Sequence, residues 1–101
     1  MPHRLVIDEI DPTSIALRGE IDAHSAPTLA ARFESLPSGD DDIVVALAEV
    51  TFMDSSGLRV LIDLHQRLDG SSRRLVLDSP SQPVTRLLEV AGLADHFSIV
   101  R

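Results

Sequence analysis

The stretch Ile43-Val44-Val45-Ala46-Leu47, with Phe52-Met53-Asp54-Ser55-Ser56-Gly57-Leu58 close behind it, decides the fold. Five consecutive apolar residues rich in β-branched types suit a central strand buried on both faces. Beyond a loop expected around Phe52 to Ser55 the period changes. Leu58, Leu61, Ile62, His65 and Leu68 form one helical stripe, and Arg59, Asp63, Gln66 and Arg67 fall on the opposite side. Asp63 and Arg67 are also spaced to pair on that surface. A buried strand followed directly by an amphipathic helix is the repeating unit of an α/β domain.

The flanks extend the unit in both directions. Residues 4 to 10 (Arg4 to Ile10) and 14 to 21 (Ser14 to Ile21) read as strands joined by the turn Asp11-Pro12-Thr13, an N-terminal hairpin. Leu29, Phe33 and Leu36 fall at helical spacing behind a cap at Ser25 or Ala26, with Pro27 in the first turn, which tolerates it. This helix is expected to end near Pro37-Ser38-Gly39. Gly70-Ser71-Ser72 stops the helix that starts near Leu58, and Arg74-Leu75-Val76-Leu77 gives another strand. Ser79-Pro80-Ser81-Gln82-Pro83 then opens a third helix, with Val84, Leu87, Leu88 and Ala91 at i, i+3, i+4 and i+7. Gly92 and Leu93 have the form of a left-handed C-terminal cap and its hydrophobic contact. A short strand from Phe97 to Val100 completes the order ββαβαβαβ, which predicts a single compact domain over residues 1–101 with a mostly parallel, mixed sheet covered by helices.

Composition bounds the function. Apolar residues at 44% in 101 residues support one core and no more. The absence of cysteine removes disulfides and thiolate metal sites, and with no signal-peptide or membrane-length apolar run the expectation is a cytoplasmic protein. A net charge of −7 disfavours nucleic acid and direct membrane binding, and three phenylalanines are the only aromatics, too few for a base-stacking platform. Protein partners remain.

No catalytic constellation can be assembled. His3, His24, His65 and His96 stand singly, without metal-ligand spacing, so no metal site is expected, and His65 on the apolar stripe reads as a partly buried core histidine. Ser55-Ser56-Gly57 is not a G-x-S-x-G elbow. The glycines are isolated and lysine is absent, so the chain alone has no phosphate-cradling loop; neither cofactor nor enzymatic activity is expected. Asp54-Ser55-Ser56-Gly57, at a helix start, has two readings. In one, Asp or Ser simply caps the helix by accepting hydrogen bonds from its unpaired N–H groups. In the other, the same N–H groups and the helix dipole favour an anion, so that a serine there can carry a phosphate and switch binding without unfolding the domain.

Val50-Thr51-Phe52-Met53-Asp54-Ser55-Ser56-Gly57-Leu58-Arg59-Val60-Leu61, preceded by Leu17-Arg18-Gly19-Glu20-Ile21-Asp22, resembles the STAS domain of bacterial anti-sigma factor antagonists, and Val84 to Leu93 resembles that family's third helix. The resemblance implies a compact α/β unit with a mixed sheet. It also implies a partner, an anti-sigma factor that is a serine kinase and supplies the ATP, and a separate phosphatase for reset. Unphosphorylated antagonist binds the kinase and frees the sigma factor; phosphorylation abolishes that binding. By the same resemblance Ser56 is the phosphoacceptor, with Ser55 as the fallback, and Asp54 orients the hydroxyl or caps the helix. Asp22, Asp54, Ser55, Gly57 and Leu58 belong to the partner-binding segment, although Asp22 can equally be a turn carboxylate. STAS domains also serve lipid-transport and stress-sensing assemblies, so a non-phosphorylated subunit of a larger complex is the alternative implication.

Overall fold

A computed structural model describes residues 5–101. Arg4, the expected first residue of the hairpin, and His3 lie outside the described residues. The elements are β1 (Leu5–Asp11), β2 (Ser14–Ile21), α1 (Ala26–Glu34), β3 (Ile43–Met53), α2 (Ser55–Asp69), β4 (Leu75–Asp78), α3 (Gln82–Val90) and β5 (Ser98–Val100). They form one sheet in the order β1-β2-β3-β4-β5, antiparallel between β1 and β2 and parallel thereafter. This is the expected ββαβαβαβ mixed sheet. The hairpin turn closes as its residues dictate, with the Thr13 N–H donating to Asp11 Oδ1 at 2.9 Å.

Strands that add in sequence order through crossovers of one hand place their helices on one face of the sheet. Accordingly Ile15, Leu17, Ile43, Val45, Leu47, Leu75 and Leu77 are buried in one cluster with Leu29 and Phe33 of α1, Leu61 and Leu64 of α2, and Val84 and Leu88 of α3. The alternate residues Ala16, Val44, Ala46 and Val76 are only half-buried. The helices therefore cover one face, and the central strand is not buried on both faces as its continuous apolar run suggested. Short side chains such as Ala16 and Ala46 leave little apolar surface on the open side.

β3 runs farther than the sequence pattern indicates. Phe52 and Met53 are its last residues, where a loop was expected, and Asp54 alone separates strand from helix. Its register with β2 shifts twice, between Ala16 and Arg18 and between Gly19 and Glu20. At each shift β3 carries one extra residue, the signature of a β-bulge. Buried positions consequently fall at 43, 45 and 47 and then at 50 and 53. Strict alternation would have exposed Val50.

The helices mostly follow their signals. α2 buries Leu58, Leu61, Leu64 and Leu68, each contributing about 1.5–3 kcal/mol on transfer from water; Leu64 joins the stripe, and Ile62 and His65 are half-buried at its margin. Arg67 does not pair with Asp63 but reaches across to α1, donating to the Phe33 carbonyl at 2.7 Å. α1 ends at Glu34, short of Pro37, with Leu36 half-buried behind it. At the end of α2, Gly70 is right-handed and Ser72 takes the left-handed conformation (φ 60°), with the Arg73 N–H donating back to the Leu68 carbonyl. α3 ends as read: Gly92 has φ 73° and the Leu93 N–H donates to the Leu88 carbonyl at 2.8 Å, a Schellman closure. Ala91 follows the last turn and is exposed, so it leaves the predicted stripe. Phe97 is buried immediately before β5 and packs edge-on against His65 at 5.3 Å.

Candidate functional site

The two parallel strands β2 and β3 end side by side, with Ile21 in register with Met53. Asp22 and Asp54 are the next residues of each chain segment, so the pairing brings them to the same edge of the sheet. The Asp54 N–H donates to the Ile21 carbonyl at 3.1 Å, which ties the two exits together.

Asp54 has the extended backbone of an N-cap (φ −111°, ψ −172°), and its Oδ1 accepts from the Ser56 N–H at 2.8 Å. Its carbonyl accepts from the Leu58 N–H at 3.1 Å, starting the helical ladder. The capping role read from the motif belongs to Asp54. Ser55 and Ser56 are the first two helical residues; Ser55 is exposed and Ser56 half-buried, and neither hydroxyl bonds to another described residue. Arg59, exposed on α2, lies four residues after Ser55 and three after Ser56, the spacings that share a helix face.

Gly57 is buried, and the reason is contact rather than conformation. A Cβ built there would stand 2.6 Å from Ile21 Cγ2 and 2.9 Å from Met53 Cγ. Only a glycine lets the first turn of α2 sit against the ends of β2 and β3 at this separation. Gly57 and Leu58 therefore lie beneath the surface on which Asp54, Ser55 and Ser56 are displayed.

Asp22 organises the neighbouring turn. Its Oδ1 accepts from the N–H groups of His24 and Ser25, both at 3.0 Å, and Ser25 Oγ accepts from the Asp22 N–H at 3.0 Å while donating to the Glu20 carbonyl at 3.1 Å. Ser25 is thus the N-cap residue of α1 by position, but its hydroxyl serves the preceding turn and not the helix N–H groups. Half-buried Glu20 and Asp22, with Asp54, make this edge acidic.

Of the described histidines, His24 alone lies at this edge, in the turn held by Asp22. His65 and His96 meet elsewhere, ring centroids 4.6 Å apart, and no group of three or more potential metal ligands occurs among the described residues. One feature beside the edge was not foreseen from sequence. An apolar cleft of about 510 Å³ lies between the end of β3 and α3, lined by Phe52, Pro83, Leu87 and Val90 among others. Phe52 and Val90 are exposed there, and only the docking of α3 against β3 could reveal them as neighbours.

The chain is thus an α/β domain with its sheet covered by helices on one face and with the capped start of α2 displaying two serines beside the exits of adjacent parallel strands. The family model described as "Mlab, STAS domain" matches residues 8–101, and the chain belongs to the STAS-domain family. Its relatives include the anti-sigma-B factor antagonist of Bacillus subtilis (strain 168), 32% identical over 85 residues, 84% of this chain and 78% of that protein. The protein of the same name from Listeria monocytogenes serovar 1/2a is 34% identical over 92 residues, 90% of this chain and 81% of that one. Among solved structures, the anti-sigma factor antagonist SpoIIAA in its unphosphorylated form superposes with a TM-score of 0.75 at 20% identity, over 97% of this chain and 89% of that one. An anti-sigma factor antagonist from Mycobacterium paratuberculosis superposes at 0.78 with 22% identity, over 97% and 85% of the two chains. These structural likenesses share the fold. No helix among the described residues is long and apolar enough to cross a membrane.

Proposed function

We propose that the chain is an anti-sigma factor antagonist that binds an anti-sigma factor serine kinase in its unphosphorylated state and is released by phosphorylation of Ser56. The observation that carries this reading is the placement of Ser56 on the first turn of α2, its N–H held by Asp54 and its hydroxyl bonded to no other described residue. The relatives named as antagonists support it. The partner surface in this reading comprises Asp22, Asp54, Ser55 and Ser56, with Gly57 and Leu58 setting its shape from below. The kinase supplies the nucleotide and a separate phosphatase restores the serine; the domain itself does no chemistry. The cycle belongs in the cytoplasm, where sigma factors act.

A phosphate on Ser56 adds roughly −1.5 to −2 charge at pH 7. The fold accommodates it because the helix terminus favours an anion and Arg59 lies one turn away. A partner fitted to an edge already carrying Asp22 and Asp54 meets the added charge at short range and is rejected.

The test uses purified histidine-kinase-like anti-sigma factors of the source organism, each incubated with the chain and ATP. One of them is expected to add a single phosphate, read by intact mass, and Ser56→Ala is expected to abolish it. A gain that persists in Ser56→Ala and disappears in Ser55→Ala moves the site to Ser55; no gain with any kinase overturns the switch. A second reading, a constitutive STAS subunit of a larger assembly such as a lipid-transport complex, is favoured by the completeness of the Asp54 cap without any modification. Ser56→Asp separates the two: it weakens kinase binding under the switch and leaves assembly unchanged under the alternative.

A further inference from the structure

Four large apolar residues are exposed among those described, and two of them, Phe52 (45%) and Val90 (81%), line the same cleft between β3 and α3. Half-buried Leu87 and exposed Pro83 complete its apolar wall. Neighbouring apolar residues left open on a helix face that should be polar mark a contact surface more often than chance. The only charged residue in the lining is Arg86, exposed and bonded to no other described residue. In a chain with sixteen acidic residues against nine basic ones, that cation stands out.

We infer that this cleft is the apolar anchor for the kinase partner, receiving an apolar side chain flanked by a carboxylate that pairs with Arg86. The inference rests on the proposed function above. Phe52 precedes Asp54 by two residues, so the cleft adjoins the serine edge, and a partner reaching Ser56 can cover both at once. The size of the cleft argues in the same direction. Seven lining residues fall well short of the roughly 20–30 residues per side of a stable standing interface, so the cleft works as one part of a larger footprint. A second copy of the chain fits poorly: a two-fold contact through this patch would oppose Arg86 to its own image and bring together two chains of net charge −7.

The probe is whichever purified anti-sigma kinase phosphorylates the wild-type chain. Val90→Glu and Arg86→Glu alter exposed positions on α3 and should keep the wild-type melting temperature. Each is expected to weaken binding of the unphosphorylated chain about tenfold or more, the loss typical of an interface anchor. Each should also raise the KM for phosphorylation of Ser56 while leaving kcat unchanged. Ile10→Glu, at an exposed position at the opposite end of the sheet, should stay within about twofold of wild type, as non-interface surface changes do. If both α3 variants bind and are phosphorylated like wild type, the anchor is refuted while the switch stands. If no kinase acts on the wild-type chain, the switch itself falls and the anchor with it. If the wild type self-associates in sedimentation and Val90→Glu abolishes that without touching kinase binding, the occupant is a second copy and the inference is overturned.

Discussion

Replacing Gly57 with alanine tests how the site is built. The new Cβ would lie 2.6 Å from Ile21 Cγ2, 3.2 Å from Ile21 Cβ and 2.9 Å from Met53 Cγ, all inside the roughly 3.5–4.0 Å of optimal carbon contact. Met53 can turn its flexible side chain aside, but Ile21 is β-branched and fully buried on β2, so α2 must back away from the sheet. Overpacking of this kind costs about 1–3 kcal/mol. Helix propensity returns at most about 1 kcal/mol, and less in a first turn. The net loss is therefore about 1–2 kcal/mol, which lowers the melting temperature by about 5–15 °C for a domain of this size. Urea unfolding followed by circular dichroism should give a lower midpoint at unchanged slope. The 3.1 Å hydrogen bond from Asp54 N–H to the Ile21 carbonyl should loosen as the helix shifts, read as faster exchange of the Asp54 amide. Gly70→Ala provides the contrast: Gly70 is right-handed and a Cβ there meets nothing nearer than 3.6 Å, so the change should stabilise by about 0.4–1 kcal/mol. If Gly57→Ala melts at or above the wild type, the first turn of α2 does not need its close approach to Ile21 and the account of the motif's glycine is wrong.

Two further substitutions probe the same edge. Asp54→Ala removes the cap on the Ser56 N–H and should cost about 1 kcal/mol in chemical denaturation, with Asp54→Ser recovering most of it; equal stability of Asp54→Ala would show that the cap contributes nothing. Ser25→Ala takes away both the acceptor for the Asp22 N–H and the donor to the Glu20 carbonyl. It should destabilise by about 1 kcal/mol and speed exchange at Asp22, read by thermal melting and amide exchange.

Where a signal was local, the sequence announced the structure. Pro83 near the start of α3 and Gly92 with Leu93 at its end set that helix through backbone rules that no tertiary contact overrides. Asp54 before two serines announced a cap, and the carboxylate makes it. The misreadings arose where distant segments decide. β3 reads as a five-residue apolar strand because two bulges break its alternation after Leu47, the first carrying Val50 into the core and the second restoring the phase that puts Met53 there. Arg67 left Asp63 for a backbone carbonyl that only the packing of α1 against α2 supplies. Gly70-Ser71-Ser72 does end α2 where the sequence indicates, with Ser72 as the left-handed residue.

The bulges also link fold to site. An unbroken β3 would keep a two-residue period past Leu47, placing Glu49 and Thr51 toward the core and sending Val50 outward. With the extra residues, Val50 and Met53 are buried and Phe52 is exposed between Met53 and Thr51. The first bulge turns Val50 inward in place of Glu49 and Thr51, and the second restores the parity that keeps Met53 against Gly57 and Phe52 exposed on the rim of the cleft beside α3. The serine edge and the cleft therefore depend on the two bulges occurring together, since either one alone would turn Met53 outward and Phe52 inward.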